Sequence, residues 1–574
     1  MFVGDIAVPG MIYAQTIRSP IPRGRLLSIK APRLPGSYTL VTAADIPGKN
    51  ELEGCLLPIL AKDALSYIGE PVALLLGPDE VKLEDLCSRI TAAVEGETPV
   101  FSGGEDDFTN RKVEIRNVPR VSGEVKTLVK GAYTTGVQEH WYAEPTGAVA
   151  SFTDKKLSVS TATQWPFHVK RSVAEVLGIN EDDVIIEAAR TGLHLDGRVW
   201  YPSLIACQAA LGALVTGHPV KLMLSRGEDL RYSPKRNAAR IAIKSDLGEK
   251  GEPLGAEVEI KTELGAYGIF ADELLDRGCL GALGVYRWPA VSVRGQAQKT
   301  NIPPQGPFAG FGLSQGFFAA ERHVSLIADT LGVDPAEWRK KNFLRHNDKL
   351  GIGIPLKDAL CPEQLLDSAA SMSDYYRKWA AYELLRRRRK AAEWDNVKEP
   401  FRGVGIAVGY QGSGFLYSGK NRGNSGVELI LEKDGSLEIR TGASSAEYAP
   451  IWQKLAQDIL ALEASQIRIK TDLSGSPDSG PASLSRNITA LTKLVERCCL
   501  IIRKQRFRDP RPIVVRRQVR PVKFSPWDQK DLAADGGAFA HLGWAAAVVE
   551  VEIDTVSFCP KIRGVWLSVD GGRI

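Results

Sequence analysis

Between residues 156 and 225 the apolar period switches from two to helical and back, and this stretch constrains the fold more than any other. Leu157, Val159 and Thr161 alternate with Ser158, Ser160 and Ala162, a strand pattern that ends at Thr163-Gln164-Trp165-Pro166. Pro166 suits a first helical turn, where its missing N–H costs nothing, and Phe167, Val169, Val173, Val176 and Leu177 follow at helical spacing. Gly178 is a natural stop. A second strand at Val184-Ile185-Ile186 runs to Arg190, the loop 191–198 opens a helix over Tyr201–Val215, and Pro219–Leu224 reads as a third strand. Strand–helix–strand–helix–strand at this spacing points to crossover units, with both loops at strand ends where such sheets bind ligands.

A chain of 574 residues buries a large core and divides into two or more domains. Its 73 basic and 68 acidic residues leave a net charge of +5, too small for this length to imply a polyanionic partner. The N-terminus shows no basic segment followed by an apolar run, and no apolar run reaches a membrane span, so the cytoplasm is the expected compartment. None of the eight cysteines forms a C-x-x-C pair, the signature of zinc or iron–sulfur ligation; adjacent Cys498 and Cys499 read as core thiols.

Along the chain, Met11–Ala14, Tyr38–Val41 and Pro71–Leu76 read as strands and Asp79–Ala93 as a helix, before a polar linker over 101–122. Ala239–Leu247 and Leu254–Leu264 form a hairpin pattern. A charged helix over Asp374–Trp394 holds Arg386-Arg387-Arg388-Arg389-Lys390; without an aromatic stacking platform it reads as a solvated face, not a nucleic-acid site. Strands return at Gly403–Val408, Gly426–Leu431 and Leu437–Thr441, then helices near Ile451–Leu462 and Ser485–Lys504 around a strand at Ile467–Lys470. The basic run Arg503–Lys523 carries Pro510, Pro512 and Pro521, which make it a loop or edge segment.

Several stretches together are similar to the molybdenum-binding large subunit of the xanthine dehydrogenase/aldehyde oxidase family. They are Gln138-Glu139-His140-Trp141-Tyr142-Ala143-Glu144-Pro145, Thr163-Gln164, Val173-Ala174-Glu175-Val176-Leu177-Gly178, Gly265-Ala266-Tyr267, Thr300-Asn301, Gly310-Phe311-Gly312 and Asp334-Pro335 with Arg339-Lys340-Lys341-Asn342. Near the start, Pro9-Gly10-Met11-Ile12-Tyr13 and Tyr67-Ile68-Gly69-Glu70-Pro71 resemble the family's small hammerhead domain. The resemblance implies an α+β fold: a hammerhead-like α/β domain over 1–118, a first molybdopterin-binding-like mixed α/β domain over 119–360, a charged helical linker over 361–400, and a second such domain over 401–574, incomplete at its end.

The resemblance also implies a molybdenum–pterin cofactor, with iron–sulfur and flavin (FAD) groups on partner subunits and a small-molecule substrate. Gln164 matches a glutamine that donates to a molybdenum oxygen, Arg277 an arginine that orients substrate, and Phe311 a phenylalanine that packs on the substrate ring. Gly192, His194, Phe308, Ala309 and Gly310 fall on the cofactor loops; no residue is assigned as a metal ligand. Departures are concentrated in the same loops. Leu193 and His194 stand where glycines let the backbone approach the cofactor, Val199 where a second carboxylate falls, Ala309 where an arginine precedes the turn, and Ala446-Glu447-Tyr448 where a Gly-Gln-Gly turn lies. The segment with the family's catalytic glutamate would follow Asp570-Gly571-Gly572-Arg573-Ile574, so a further polypeptide is expected to supply it. Two functions stay open at this point: a hydroxylase subunit acting on an N-heterocycle or aldehyde with water as oxygen source, or a catalytically silent scaffold that has lost the cofactor.

Overall fold

The structure is a computed structural model of the whole chain, described for residues 1–103, 107–116, 124–350, 354–356, 361–391, 400–416, 424–442, 448–470, 473, 475–519, 539 and 541–571. The alternating stretch folds as its periods dictate. Lys156–Thr161 is a strand, and Pro166–Leu177 is a helix that starts on its proline and ends at Gly178 in left-handed backbone, φ 62°. Val184–Ala188 lies parallel beside Lys156–Thr161, so this half is a true crossover. The second half differs from the sequence reading. Gly147–Thr153 inserts antiparallel between Lys156–Thr161 and Val220–Met223, and Val220–Met223 then pairs parallel with Ile12–Arg18. One seven-stranded sheet therefore joins the first strands of the chain to the central stretch. The helix Tyr201–Thr216 packs against it, buried at every position from Tyr201 to Ala213, which explains why its apolar residues show no stripe.

The N-terminal region also corrects one expected element. The helix after Asp79 runs only over Glu80–Ser88, capped by the Asp79 carboxylate, which accepts from the Lys82 N–H at 2.9 Å. Thr91–Gly96 is instead a strand, because Gly24–Lys30 offers it an antiparallel ladder that no local pattern announces. Two resembling motifs meet here. The Tyr267 hydroxyl donates to Glu70 Oε1 at 2.7 Å, and Asn301 Nδ2 donates to the Ser66 carbonyl at 2.8 Å, latching residues 66–70 onto the two loops that hold Tyr267 and Asn301. Burial pushes the Glu70 carboxyl up to about 7.

The expected hairpin Ala239–Leu247 and Pro253–Glu263 sits in a five-stranded sheet backed by the helices Ala271–Ala282 and Leu313–Leu331. These helices cross at backbone distance. A Cβ on Gly316 would stand 2.3 Å from the Gly278 carbonyl oxygen, and one on Gly281 would stand 2.5 Å from that of Leu313.

The next helix, Pro335–Asn342, is built by the motif that carried part of the resemblance. Asp334 caps it, Pro335 takes its first turn, and Arg339 lies fully buried. Arg339 Nε donates to Glu321 Oε2 at 2.9 Å, and the Tyr286 hydroxyl donates to the other oxygen of Glu321 at 2.5 Å. Glu321 Oε2 also accepts the Val408 N–H at 3.1 Å. Val408 lies in Phe401–Gly412, an edge strand of the three-stranded sheet it forms with Leu542–Ile553 and Pro560–Asp570. A second buried carboxylate repeats the device: Glu273 accepts the Leu416 N–H at 3.0 Å and Arg277 Nε at 2.6 Å.

Residues 425–519 form a four-stranded sheet covered by the helices Ala449–Leu460 and Thr492–Gln505, with Cys498 and Cys499 in its core. The basic run supplies its edge strand, Ile513–Val519. The expected helix at 485–504 opens with a π-helical turn, Asn487–Leu491. Among the described residues no helix is long and apolar enough to cross a membrane.

Two outcomes follow from this packing. Arg339→Met leaves Glu321 buried without its cation and is expected to lower stability by about 3–5 kcal/mol in denaturant unfolding, most of it regained in Arg339→Met with Glu321→Gln. Gly316→Ala forces two helix backbones apart, and a loss of at least ~1 kcal/mol in the same measurement is expected.

Candidate functional site

The loops at the ends of the central strands converge on a cavity of about 450 Å³, within the range of small-molecule sites. Its lining comes from segments far apart in sequence: His194 and Asp196, then Ala309, Gly310 and Ser314, then Gln411, Tyr448 and the run 482–487. Backbone bonds fix the arrangement. The Ala309 N–H donates to the Leu195 carbonyl at 3.0 Å, the Gln164 N–H to the Arg198 carbonyl at 2.9 Å, and the Ala482 N–H to the Gln164 carbonyl at 2.7 Å.

Of the residues singled out from sequence, His194, Ala309 and Gly310 line this cavity. Gln164, only 1 % exposed, stands behind two of its walls: Nε2 donates to Asp196 Oδ1 at 3.1 Å and to the Ala482 carbonyl at 2.8 Å. Both amide hydrogens are thereby committed, and these two acceptors fix the orientation of the amide. Phe308 lies beneath, stacked on His140 with ring centres 4.3 Å apart and covered by the Arg236 guanidinium at 4.1 Å. Gly192 is exposed and outside the lining, its N–H donating to Glu144 Oε1 at 2.9 Å.

Arg277 and Phe311 are placed elsewhere. Arg277 is fully buried; besides Glu273 it donates to the carbonyls of Gly412 and Gly414. Phe311 is fully buried in edge-on contact with Phe270 and Phe415. It sits in left-handed backbone (φ 46°) between Gly310 (φ 93°) and Gly312 (φ 85°), where a Cβ at 312 would lie 2.1 Å from the Leu274 carbonyl oxygen. The bulk expected from the 192–198 loop divides in two: Leu193 is 56 % exposed and lies off the cavity, whereas His194 and Asp196 enter its lining. Tyr448 lines it as well; Ala446 and Glu447 lie outside the described residues.

Sequence reasoning missed Asp196, Ser483 and Asn487. Asp196 is 4 % exposed in left-handed backbone, φ 72°. Burial pushes its carboxyl up to about 6 against the opposing pull of the Ser483 hydroxyl and Gln164 amide. Asn487 is 1 % exposed, begins the π-helical turn, and has neither amide atom hydrogen-bonded among the described residues. Leu484 and Ser485 before it are both left-handed, at φ 53° and 55°. The available signal was the polar run Ser483-Leu484-Ser485-Arg486-Asn487 ahead of a helix. Arg486 staples that run, donating to the carbonyls of Pro481, Asn424 and Ser479 and to Ser425 Oγ. Burial pulls the pKa of Arg486, and that of Arg236 beside Ala309, down to about 10. Among the described residues no group of three His, Cys, Asp or Glu stands close enough to hold a metal ion.

Comparison with known proteins gives this geometry a family. Residues 1–95 match the aldehyde oxidase and xanthine dehydrogenase a/b hammerhead domain, and residues 104–343 and 376–510 match molybdopterin cofactor-binding domains. A probable xanthine dehydrogenase subunit from Bacillus subtilis (strain 168) is 27% identical over 520 residues, covering 86% of this chain and 67% of that protein. Aldehyde oxidase 2 of Cavia porcellus is 26% identical over 450 residues, which span 75% of this chain but only 32% of its own length. The solved aldehyde oxidoreductase from Desulfovibrio gigas superposes with a TM-score of 0.81 at 20% identity, over 98% of this chain and 65% of that one, so the fold is shared. With hammerhead and cofactor-binding domains matched in order along its length, the chain belongs to the xanthine dehydrogenase/aldehyde oxidase family of molybdopterin-binding large subunits.

Proposed function

We propose that the chain holds a molybdenum–pterin cofactor in this cavity and serves as the large subunit of a hydroxylase for an aldehyde or an N-heterocycle. Water is the oxygen source, and electrons leave through iron–sulfur and flavin groups on partner subunits. The observation that carries this reading is Asn487, whose buried amide offers a donor and an acceptor with no partner among the described residues. Buried polar atoms are almost always satisfied, so such a pair at a cavity wall calls for a polar ligand.

The residues present fit that group. Asn487 provides both hydrogen-bonding senses, and the hydroxyls of Ser483 and Ser485 stand beside it along the same wall. Arg486 holds this wall in shape, its donors spent on the carbonyls of Pro481, Asn424 and Ser479. Gly310, in a conformation few other residues adopt, adds no side chain to the lining, while His194 and Tyr448 narrow the space. When bound, the cofactor supplies a Lewis-acidic metal that acidifies water and a centre that accepts two electrons.

Asn487→Leu separates ligand binding from folding. It removes two unsatisfied polar atoms, so unfolding in denaturant is expected to show a gain of about 1–3 kcal/mol. Molybdenum and pterin per chain in the natively purified complex are expected to fall at least ~10-fold, the loss of two charge-free hydrogen bonds. Unchanged cofactor content in this variant defeats the reading, and a parent protein that carries neither molybdenum nor pterin supports the scaffold instead.

A further inference from the structure

We propose that the open face of the three-stranded sheet is a docking groove for a helix of a partner polypeptide, apolar along one side and acidic along one flank. One end of that helix closes the cavity. The docking stands without the reading of the cavity; only its effect on cofactor content rests on that reading.

The face is apolar along its length, and its residues grade from small to large. On Phe401–Gly412 it shows Gly403, Gly405, Ala407 and Gly409. On Leu542–Ile553, in register with them, alanine or valine stands at every second position from 545 to 551. On Pro560–Asp570 it shows Ile562, Val565, Leu567 and Val569, each more than half exposed. The alternate residues, Val408, Trp544 and Val548 among them, are buried in the core. Strands apolar on both faces are the kind that proteins cover on both, and an open apolar surface of this extent marks an interface. Over the open face runs a groove of about 1050 Å³, bordered by Phe317 and Phe318 of the helix Leu313–Leu331.

Three observations identify the occupant. Glycine inside a strand marks a place where another backbone comes close, and a Cβ on Gly405 would meet nothing within 4 Å. The floor is cut for a main chain that the described residues do not supply. The three strands span roughly 10 Å across and the rows from 545 to 551 about 20 Å along, a bed that one helix of about four turns fills. Arg322 is exposed on the groove wall and forms no ion pair among the described residues, so an acidic flank complements it. The helix Tyr375–Ala391 of a second copy does not match. Its exposed Leu384 and Leu385 adjoin the arginines at 386–389 and would bring like charge to Arg322. Ser314 and Gln411 line both the groove and the cavity, so a helix laid along the rows has one end at the site.

The test uses the natively purified complex. With p-benzoylphenylalanine in place of Leu567, irradiation is expected to join the chain to a co-purifying polypeptide. The joined segment should carry apolar residues at helical spacing and Asp or Glu along one flank. Gly405→Leu then separates a fitted helix from mere apolar cover. The new side chain points into open space on an ordinary strand, so the unfolding midpoint is expected to hold or rise. The same side chain fills the floor, and partner per chain should fall at least ~10-fold. A surface that only prefers apolar cover would keep its partner in this variant. Arg322→Glu, at an exposed helical position, should lower partner content roughly threefold, the weight of an exposed charge pair, and an acid-to-lysine change in the joined segment should restore it. Molybdenum and pterin per chain should fall together with the partner. A crosslink within this chain or to a second copy, no crosslink at all, or a Gly405→Leu complex that keeps its partner overturns the docking. Cofactor retained after the partner is lost overturns the closing of the cavity. A parent complex without molybdenum and pterin defeats the reading of the cavity, and the crosslink then decides the docking alone.

Discussion

The edge strand Phe401–Gly412 is fixed by two buried carboxylates, and the assembly of the molecule depends on them. Among the described residues the strand pairs on one side only, with Leu542–Ile553, which leaves its other row of N–H groups without a ladder there. Glu321 takes the Val408 N–H, and Glu273 takes the Leu416 N–H just past the strand end. Each carboxylate is held by an arginine, Arg339 or Arg277, so neither charge is buried alone. The helices Ala271–Ala282 and Leu313–Leu331 that carry these carboxylates touch through glycines, which sets the spacing of the two anchors. A sheet of the second half is thereby registered against a helix pair of the first.

The cavity is a product of that registration. Gly414 donates its N–H to the Leu484 carbonyl at 3.1 Å, and the Ser413 and Thr489 hydroxyls bond at 2.6 Å, so the anchored segment positions the run 482–487 in turn. The same run meets Gln164 from the other side. Arg277 thus bears on the site through backbone that it holds, at a distance from the cavity lining.

How much of this was legible in the sequence follows from the range of each interaction. Pro166, Gly178 and the alternation at 157–161 act within one turn or one strand, and the structure keeps them where the period put them. Thr91–Gly96 could not be read, since its strand state comes from a partner at 24–30. The insertion of Gly147–Thr153 into the crossover is equally non-local. At the site, resemblance led to the loops but not to the side chains that face the cavity. His194 and Gly310 were found because the loops are recognisable, whereas Asp196, in left-handed backbone, lines the cavity with no local pattern to announce it. Glu273 stands four residues before Arg277, a spacing already visible in sequence as a helical ion pair. That pairing competes with any reading of Arg277 as free to meet a ligand.

The bond between Gln164 and Ala482 spans 318 positions, and this sets a clock on biogenesis. At roughly 5–20 residues per second of synthesis, Ala482 leaves the ribosome some ~15–60 s after Gln164. Throughout that interval the first half of the chain can fold its sheets, but the cavity lacks an entire wall. A ligand that depends on both walls therefore arrives only after residue 482 has been made, and its loading is open to control by whatever delivers it.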